Sequence, residues 1–400
     1  MIGKVRIALA LIAVQFGATA CAPLTRLPAV PAALAARAVP AVPNSRYLVL
    51  RETATFAEEA RNSDLRKLAW LTASGHQGPP STLSMLAISG GGDNGAFAAG
   101  LLNGWTAEGT RPEFEAVSGV STGALIAPFA FLGPKYDSVL RLLYTTVSQR
   151  DIFKPHNIIV AFFGDATSDT APLSDMVQRN VDRPLLDAIA AEYAKGRLLL
   201  VGTTNLDTME PVIWNMTAIA ASRDPGALDQ FRKVLLASAA IPGVFPPVMI
   251  DVTVDGERFQ EMHVDGGTTA QLFAYPPSFH LRKMAVEATW KLYIVRNARV
   301  DPEWASVQRR TLLIAGRAVS ALIQTQGVGD LYRVYATAQR DGVDFNLAYI
   351  PPTFRVQHTE QFDTAYMQAL YKTGYDLAAT GYPWQKEPPG FASDIGISRE

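Results

Sequence analysis

Ser121 stands at the centre of Gly119-Val120-Ser121-Thr122-Gly123, and upstream of it runs Ser89-Gly90-Gly91-Gly92-Asp93-Asn94-Gly95. The G-x-S-x-G spacing suits a sharp strand-to-helix turn that exposes a serine hydroxyl, with a helix N-terminus behind it to favour negative charge. Consecutive glycines offer backbone N–H groups to an anion, so Gly90, Gly91 and Gly92 are the expected donors to a tetrahedral oxyanion. Asn94 and Gly95 complete that loop, and Gly119 and Gly123 permit the turn. A nucleophile and an anion cradle in this order are parts of a hydrolase that attacks ester carbonyls. Gly90, Gly92 and Gly95 also satisfy a dinucleotide fingerprint, but that motif wants an acidic residue at the end of the next strand. The next strand here ends in Val117-Ser118-Gly119-Val120-Ser121, without a carboxylate. No nucleotide cofactor is expected.

A serine of this kind needs a base. Three Asp-Gly pairs are available: Asp255-Gly256, Asp265-Gly266-Gly267 and Asp341-Gly342. A tight hairpin accounts for the first and a polar loop for the third. Asp265 follows Met262-His263-Val264 at a strand end, and Gly266 and Gly267 let other backbone come close. A carboxylate partly shielded there gains proton affinity and can accept the serine proton. His76, His156, His263, His280 and His358 are scattered along the chain. A triad in α/β-hydrolase order would use His280 or His358. His358 reads as a surface helix start, and His263, sharing a strand face with Asp265, as a candidate to orient it. Asn205 and Asp207 follow another strand and are assigned to shaping the site or fixing a loop, not to proton transfer. No His/Asp/Glu spacing points to a metal.

These residues need a scaffold, and the pattern from residue 83 reads strand, Gly-rich loop, helix, strand, elbow, helix. Residues 83–88, 114–117, 198–201, 291–295 and 345–350 are short apolar runs of the buried-strand kind. Residues 96–105 and 124–132 carry small and apolar residues at helical spacing, and 252–259 is a hairpin. Residues 303–324 and 360–380 have apolar spacing near 3.6. In the first of these, Arg309, Arg310 and Arg317 beside Leu312, Leu313, Val319 and Leu322 read as a solvated helix with an inner apolar face, rather than a membrane-facing one. Alternating strands and helices argue for a three-layer α/β fold.

Taken together, Gly90-Gly91-Gly92 with Gly95 and Gly100, Gly119 through Gly123, and Asp265-Gly266-Gly267 resemble the motifs of patatin-like phospholipases. Ala237-Ser238-Ala239-Ala240-Ile241-Pro242-Gly243-Val244-Phe245-Pro246-Pro247 also looks like that family's segment ahead of its aspartate. The resemblance covers residues 83–269. It implies an α/β/α sandwich of the patatin type, with a mostly parallel central sheet and a helical C-terminal region. It further implies a Ser121–Asp265 dyad without histidine, an acyl-enzyme on Ser121, and a lipid or acyl-ester substrate. One departure is Asn94, where the family usually has Arg or Lys; the loss bears on phosphate headgroups more than on ester chemistry. Two other readings stay open: an α/β-hydrolase esterase with a Ser-Asp-His triad, and an envelope lipoprotein that keeps the fold without catalysis.

The chain has 400 residues, 48% of them hydrophobic, and a formal net charge of −1. That is ample for a large core, and no excess of basic charge suggests nucleic acid as a partner. Cys21 is the sole cysteine. Lys4 and Arg6 precede an apolar stretch over 7–17, too short to span a bilayer, and Ala18-Thr19-Ala20 lead into Cys21. This resembles the lipobox of bacterial lipoproteins, with Cys21 as the lipidated residue and the membrane surface as a partner. The expected organisation is a lipoprotein signal peptide over 1–20, lipidated Cys21 with an Ala/Pro-rich tether over 21–50, a helical lead-in over 51–80, and a patatin-like hydrolase domain over 81–390. Export to the cell envelope follows, and Ala22, not the Asp associated with inner-membrane retention, favours the outer membrane facing the periplasm. Nothing in the sequence sets the oligomeric state.

Overall fold

The computed structural model describes residues 25–49, 53–76, 78, 80–156, 165–284, 288–357 and 359–391. The expectations for the signal peptide, Cys21 and His358 lie outside the described residues.

Strand β3 (Thr82–Ile88) explains the architecture, since it is buried on both faces. Leu86 and Ile88 enter one hydrophobic cluster, Met85 and Ala87 the other. Both sides of the sheet must therefore be covered, and the result is three layers. Ten strands form the sheet. They are β1 (Val39–Pro40), β2 (Arg46–Leu48), β3, β4 (Ala116–Val120), β5 (Leu198–Asn205), β6 (Glu210–Asn215), β7 (Val248–Val254), β8 (Glu257–Asp265), β9 (Thr289–Arg296) and β10 (Asp344–Tyr349). The central run β5-β4-β3-β9-β10 is parallel throughout. The flank is antiparallel, with β6 on one edge of β5 and the β7–β8 hairpin on the other. Asp255 and Gly256 turn that hairpin with φ of 53° and 88°, as Asp-Gly does in tight turns.

Six of the helices flank the sheet: α1 (Thr53–Ala73), α2 (Gly95–Glu108), α3 (Thr122–Leu132), α4 (Ala227–Ser238), α5 (Thr311–Asp341) and α6 (Thr364–Ala379). One face carries α2, α3, α4 and α6, around Phe97, Phe131, Phe231 and Leu370; α1 and the second half of α5 cover the other, around Phe56, Leu331 and Phe345.

Three expectations are corrected. Residues 25–48 are not a loose tether. Pro31 caps a short 3-10 turn, β1 pairs with β7, β2 pairs with β6, and Ala35, Ala38, Val42, Tyr47 and Leu48 are buried. Prolines block a ladder only where a donor is needed, and Pro40 sits in an outermost strand. The helix expected over 303–324 begins at Thr311 and continues to Asp341, so that Asp341 ends a helix instead of standing in a polar loop. Its carboxylate is buried and accepts from the Tyr275 hydroxyl (3.1 Å). The inner apolar face expected for its first half is missing: Leu313, Ile314, Val319, Leu322 and Ile323 are exposed, because no sheet lies beneath them.

The N-terminal segment is held electrostatically as well. Arg46 on β2 makes a two-pronged ion pair with Glu261 on β8, both side chains buried, with Nη2 to Oε1 at 3.1 Å. Burial pushes the Glu261 carboxyl up, but the His263 hydrogen bond and the Arg46 charge overcome it and hold it at about 2. Removing one partner strands a buried charge, so Arg46→Ala should cost about 3–5 kcal/mol in urea unfolding. Lys372→Ala, which breaks an exposed pair with Asp376, should change stability by about 0.5 kcal/mol or less.

Candidate active site

Ser121 follows the last residue of β4 and precedes the first of α3, with φ 55° and ψ −125°. Few non-glycine residues adopt this backbone, and it is the strained geometry of a nucleophile elbow. The turn is tight enough that a Cβ on Gly119 would collide with the Gly123 carbonyl, and one on Gly123 with the Ile88 carbonyl. The strain is held from behind. The Ser121 N–H donates to Ser238 Oγ at 2.9 Å, and the Ser238 hydroxyl donates in turn to the Gly202 carbonyl at 2.7 Å. Ser238, the last residue of α4, thus pins the elbow to β5.

Strand register brings the carboxylate to the serine. Val120 pairs with Gly202 and Asp265 with Thr203, while β6 occupies the opposite edge of β5. Strands β4 and β8 therefore end head to head on one edge, at adjacent rungs. The Ser121 side chain stands beside the Asp265 carboxylate and lowers its proton affinity, and Asp265 Oδ1 accepts from the Gly267 N–H at 2.7 Å. Asp265 is 6% exposed, and Ser121 7%. Burial pushes the Asp265 carboxyl up to about 6 against the lowering effect of the Ser121 hydroxyl and the Gly267 N–H. A desolvated carboxylate beside a hydroxyl can take that proton as the oxygen attacks.

The Gly-rich loop leaves the carboxyl end of β3 beside the elbow. Gly90 is corrected as a donor: its N–H already reaches the Gln271 carbonyl at 3.1 Å, and a Cβ there would press on Ser121. Gly91 and Gly92 N–H groups have no acceptor among the described hydrogen bonds. Asn297, just past β9, braces this loop and is fully buried. Its backbone N–H donates to Ser89 Oγ and its Nδ2 to the Ser89 carbonyl, both at 2.9 Å, and its Oδ1 accepts from the Ala98 N–H at 3.2 Å. Gly91 lies so close to the Asn297 carbonyl that no side chain fits. Asn94 accepts from the Tyr366 hydroxyl at 2.6 Å, which ties the loop to α6. Gly95 abuts the side chains of Thr122 and Tyr144 at the start of α2.

His263 and His280 lie away from the dyad. His263 is fully buried between Thr203 (2.9 Å) and Glu261 (3.2 Å), and burial pushes its imidazole down. Its ring contacts serve the Arg46–Glu261 pair, not Asp265. His280 sits near Asp341 (3.9 Å), at the amino ends of the parallel strands and away from Ser121. Asp207 pairs with Arg26 at 2.7 Å and receives Met262 N–H at 3.0 Å, while Asn205 accepts from the Asp207 N–H. Gly266 continues from Asp265 and accepts from the Thr269 N–H at 3.0 Å. Sequence reasoning missed Ser238, Gln271 and Asn297. Ser238 lay within a motif segment but had no assigned role; Asn297 follows a strand end, the position where α/β sheets place site residues. Beside Val120 and Gly266 is a mostly apolar cavity of about 250 Å³, lined also by Gly202, Thr269, Phe273 and Val334.

Comparison with known proteins bears on this arrangement. No curated protein matches the chain. Among solved structures it is similar to VipD from Legionella pneumophila, at 12% identity and a TM-score of 0.33, covering 76% of this chain and 67% of that one. It is also similar to full-length ExoU of the type III secretion system of Pseudomonas aeruginosa, solved in complex with SpcU. There the identity is 12% and the TM-score 0.30, with 76% of this chain and 52% of that chain covered, so the chain spans about half of ExoU. A model of the patatin-like phospholipase family matches residues 86–276, which contain the Gly-rich loop, the elbow, Ser238 and Asp265. Residues 86–276, a little under half of the chain, thus carry a patatin-like phospholipase domain by their match to that family's model.

Proposed function

We propose that the protein is a lipid acyl hydrolase working through a Ser121–Asp265 dyad. The observation that carries this reading is the strand register that ends β4 at Ser121 and β8 at Asp265 on adjacent rungs, with both side chains buried. Ser121 Oγ attacks the ester carbonyl carbon as its proton passes to Asp265. Negative charge gathers on the carbonyl oxygen, where Gly91 and Gly92 N–H groups and the nearby start of α2 stabilise it. Collapse expels the alcohol, which takes the proton from Asp265, and leaves the acyl group on Ser121. Water then attacks that ester, Asp265 accepts its proton, and the fatty acid departs as the serine is reprotonated. Histidine has no part in this sequence.

The apolar cavity beside Val120 and Gly266 is the proposed seat of the acyl chain, at about 0.8 kcal/mol per buried methylene. The same reading holds the mature chain at the envelope membrane by acyl groups on Cys21. Arg26 is already docked on Asp207, so the leash from Cys21 is five residues, at most about 18 Å. That keeps the domain within reach of the bilayer.

Ser121→Ala and Asp265→Asn should each reduce hydrolysis of a short-chain ester by about 10⁴-fold or more and leave the far-UV spectrum unchanged. His280→Ala should retain wild-type turnover; a crippled His280→Ala would overturn the dyad. A fluorophosphonate should label the parent chain and not Ser121→Ala.

The pH profile of kcat/KM should fall below about pH 6 with a single protonation, as Asp265 takes up its proton. Its sign on stability is opposite. A carboxyl raised from 3.8 to about 6 stabilises the fold fully below pH 3.8, and that stability is lost as pH rises through 6. The melting temperature of Asp265→Asn relative to the parent should therefore climb between pH 4 and pH 7. Val334→Trp, which fills the cavity, should shift preference toward shorter acyl chains, read from kcat/KM across a p-nitrophenyl ester series.

A further inference from the structure

Helix α5 is two different helices in sequence terms. From Gly327 onward it packs on the sheet through Leu331, Val334, Tyr335 and Ala338. Residues 311–326 have no such support, and the large apolar side chains described there are exposed. Two of their polar side chains turn inward: Gln324 accepts from Arg296 at 3.0 Å and donates to the Arg299 carbonyl at 2.9 Å, and Arg317 donates to the Glu303 carbonyl. Their apolar rows face outward, with Ile314, Ala318 and Leu322 on one and Ala315, Val319 and Ile323 on the next. Leu322 is 70% exposed, and Trp304, just before the helix, 89%. A helix whose apolar side points away from its own protein has a partner other than that protein.

The charge pattern says which partner. Residues 304–329 contain Arg309, Arg310 and Arg317 and no acidic residue. Wide apolar rows with flanking arginines suit the interface of an anionic bilayer. Among the described residues no helix is long and apolar enough to cross a membrane, so this one would lie in the interfacial plane.

Position in the fold agrees. Arg296 ends β9 and holds Gln324, so everything before Gln324 projects past the carboxyl ends of the parallel strands, as about 20 Å of helix. Ser121 lies at those same ends, and so does Asp207, past β5, where Arg26 docks the N-terminal segment. The helix is also fastened to the site. Asp330 accepts from the Gln271 N–H at 2.6 Å and the Leu272 N–H at 3.3 Å, in the loop that follows Asp265.

We infer that residues 304–326 insert into the surface of an anionic phospholipid bilayer and seat the Ser121 mouth against it. This rests on the acyl-hydrolase reading for its purpose but not for its test. The full chain carrying Ser121→Ala and Leu322→Trp is mixed with vesicles of phosphatidylcholine, or of equal parts phosphatidylcholine and phosphatidylglycerol, with or without brominated acyl chains. Relative to the chain with Ser121→Ala alone, the added tryptophan should emit to the blue and be quenched by bromine on the anionic vesicles. Arg309→Gln with Arg310→Gln should weaken that response by roughly ten-fold or more. An unshifted, unquenched emission on anionic vesicles would overturn the inference. So would a shift that grows with protein concentration in the absence of lipid, which would mean that a second copy covers the face. Since Ser121→Ala is already inactive, the readout owes nothing to turnover. Failure of the parent chain to hydrolyse a soluble ester would sink the site reading and leave the vesicle result standing.

Discussion

The meeting of Ser121 and Asp265 depends on a sheet that changes direction at a single strand. Strand β5 receives the parallel β4 along its first residues and the antiparallel β8 along its last, on one edge. Two strands running toward each other must end where they meet, and their last side chains meet with them. The elbow residue and the carboxylate are thus brought together by backbone ladders rather than by loops, which gives them the precision of regular structure. Because that junction is buried, its carboxylate is desolvated, and desolvation is what raises its proton affinity.

Two buried polar residues keep this junction in place. Ser238 uses one hydroxyl both to receive the elbow N–H and to donate to β5, so the strained backbone at Ser121 is secured by α4. From the end of β9, Asn297 bonds two backbone groups, the Ser89 carbonyl and the Ala98 N–H, and the Ser89 hydroxyl as well. Neither residue reaches a reacting atom in this structure. Both act on the shape of backbone whose N–H groups and hydroxyl do the chemistry. A carboxylate held with a raised proton affinity and a serine held at positive φ each cost stability, and the surrounding core offsets that cost.

Asymmetry between the two ends of the strands links the site to its surroundings. The carboxyl ends carry the elbow, the Gly-rich loop, the docking point of the N-terminal segment and the projecting half of α5. The amino ends carry His280 and the buried Asp341, which accepts from Tyr275 and Leu281 and closes the fold there. The buried Arg46–Glu261–His263 cluster lies between, and ties the N-terminal segment to the strand that ends in Asp265.

Local chemistry was legible without coordinates wherever one short segment supplies it. The elbow needs two glycines around a serine after a strand, and all five residues are contiguous; the Asp-Gly hairpin and the doubly buried parallel strands are equally local. Asp265 was recognisable because its neighbours on both sides carry the signal. What stayed hidden depends on residues far apart in the chain. Gly90 reads like its neighbours as a donor, yet the Gln271 carbonyl takes its N–H. Prolines in residues 25–48 suggest a tether, but an outermost strand has a free side where a missing donor does no harm. The apolar spacing of α5 announces a helix with one oily side; it says nothing of which way that side turns. Only the point where the sheet ends beneath the helix decides that, since helical periodicity is a property of neighbours in sequence and burial a property of neighbours in space.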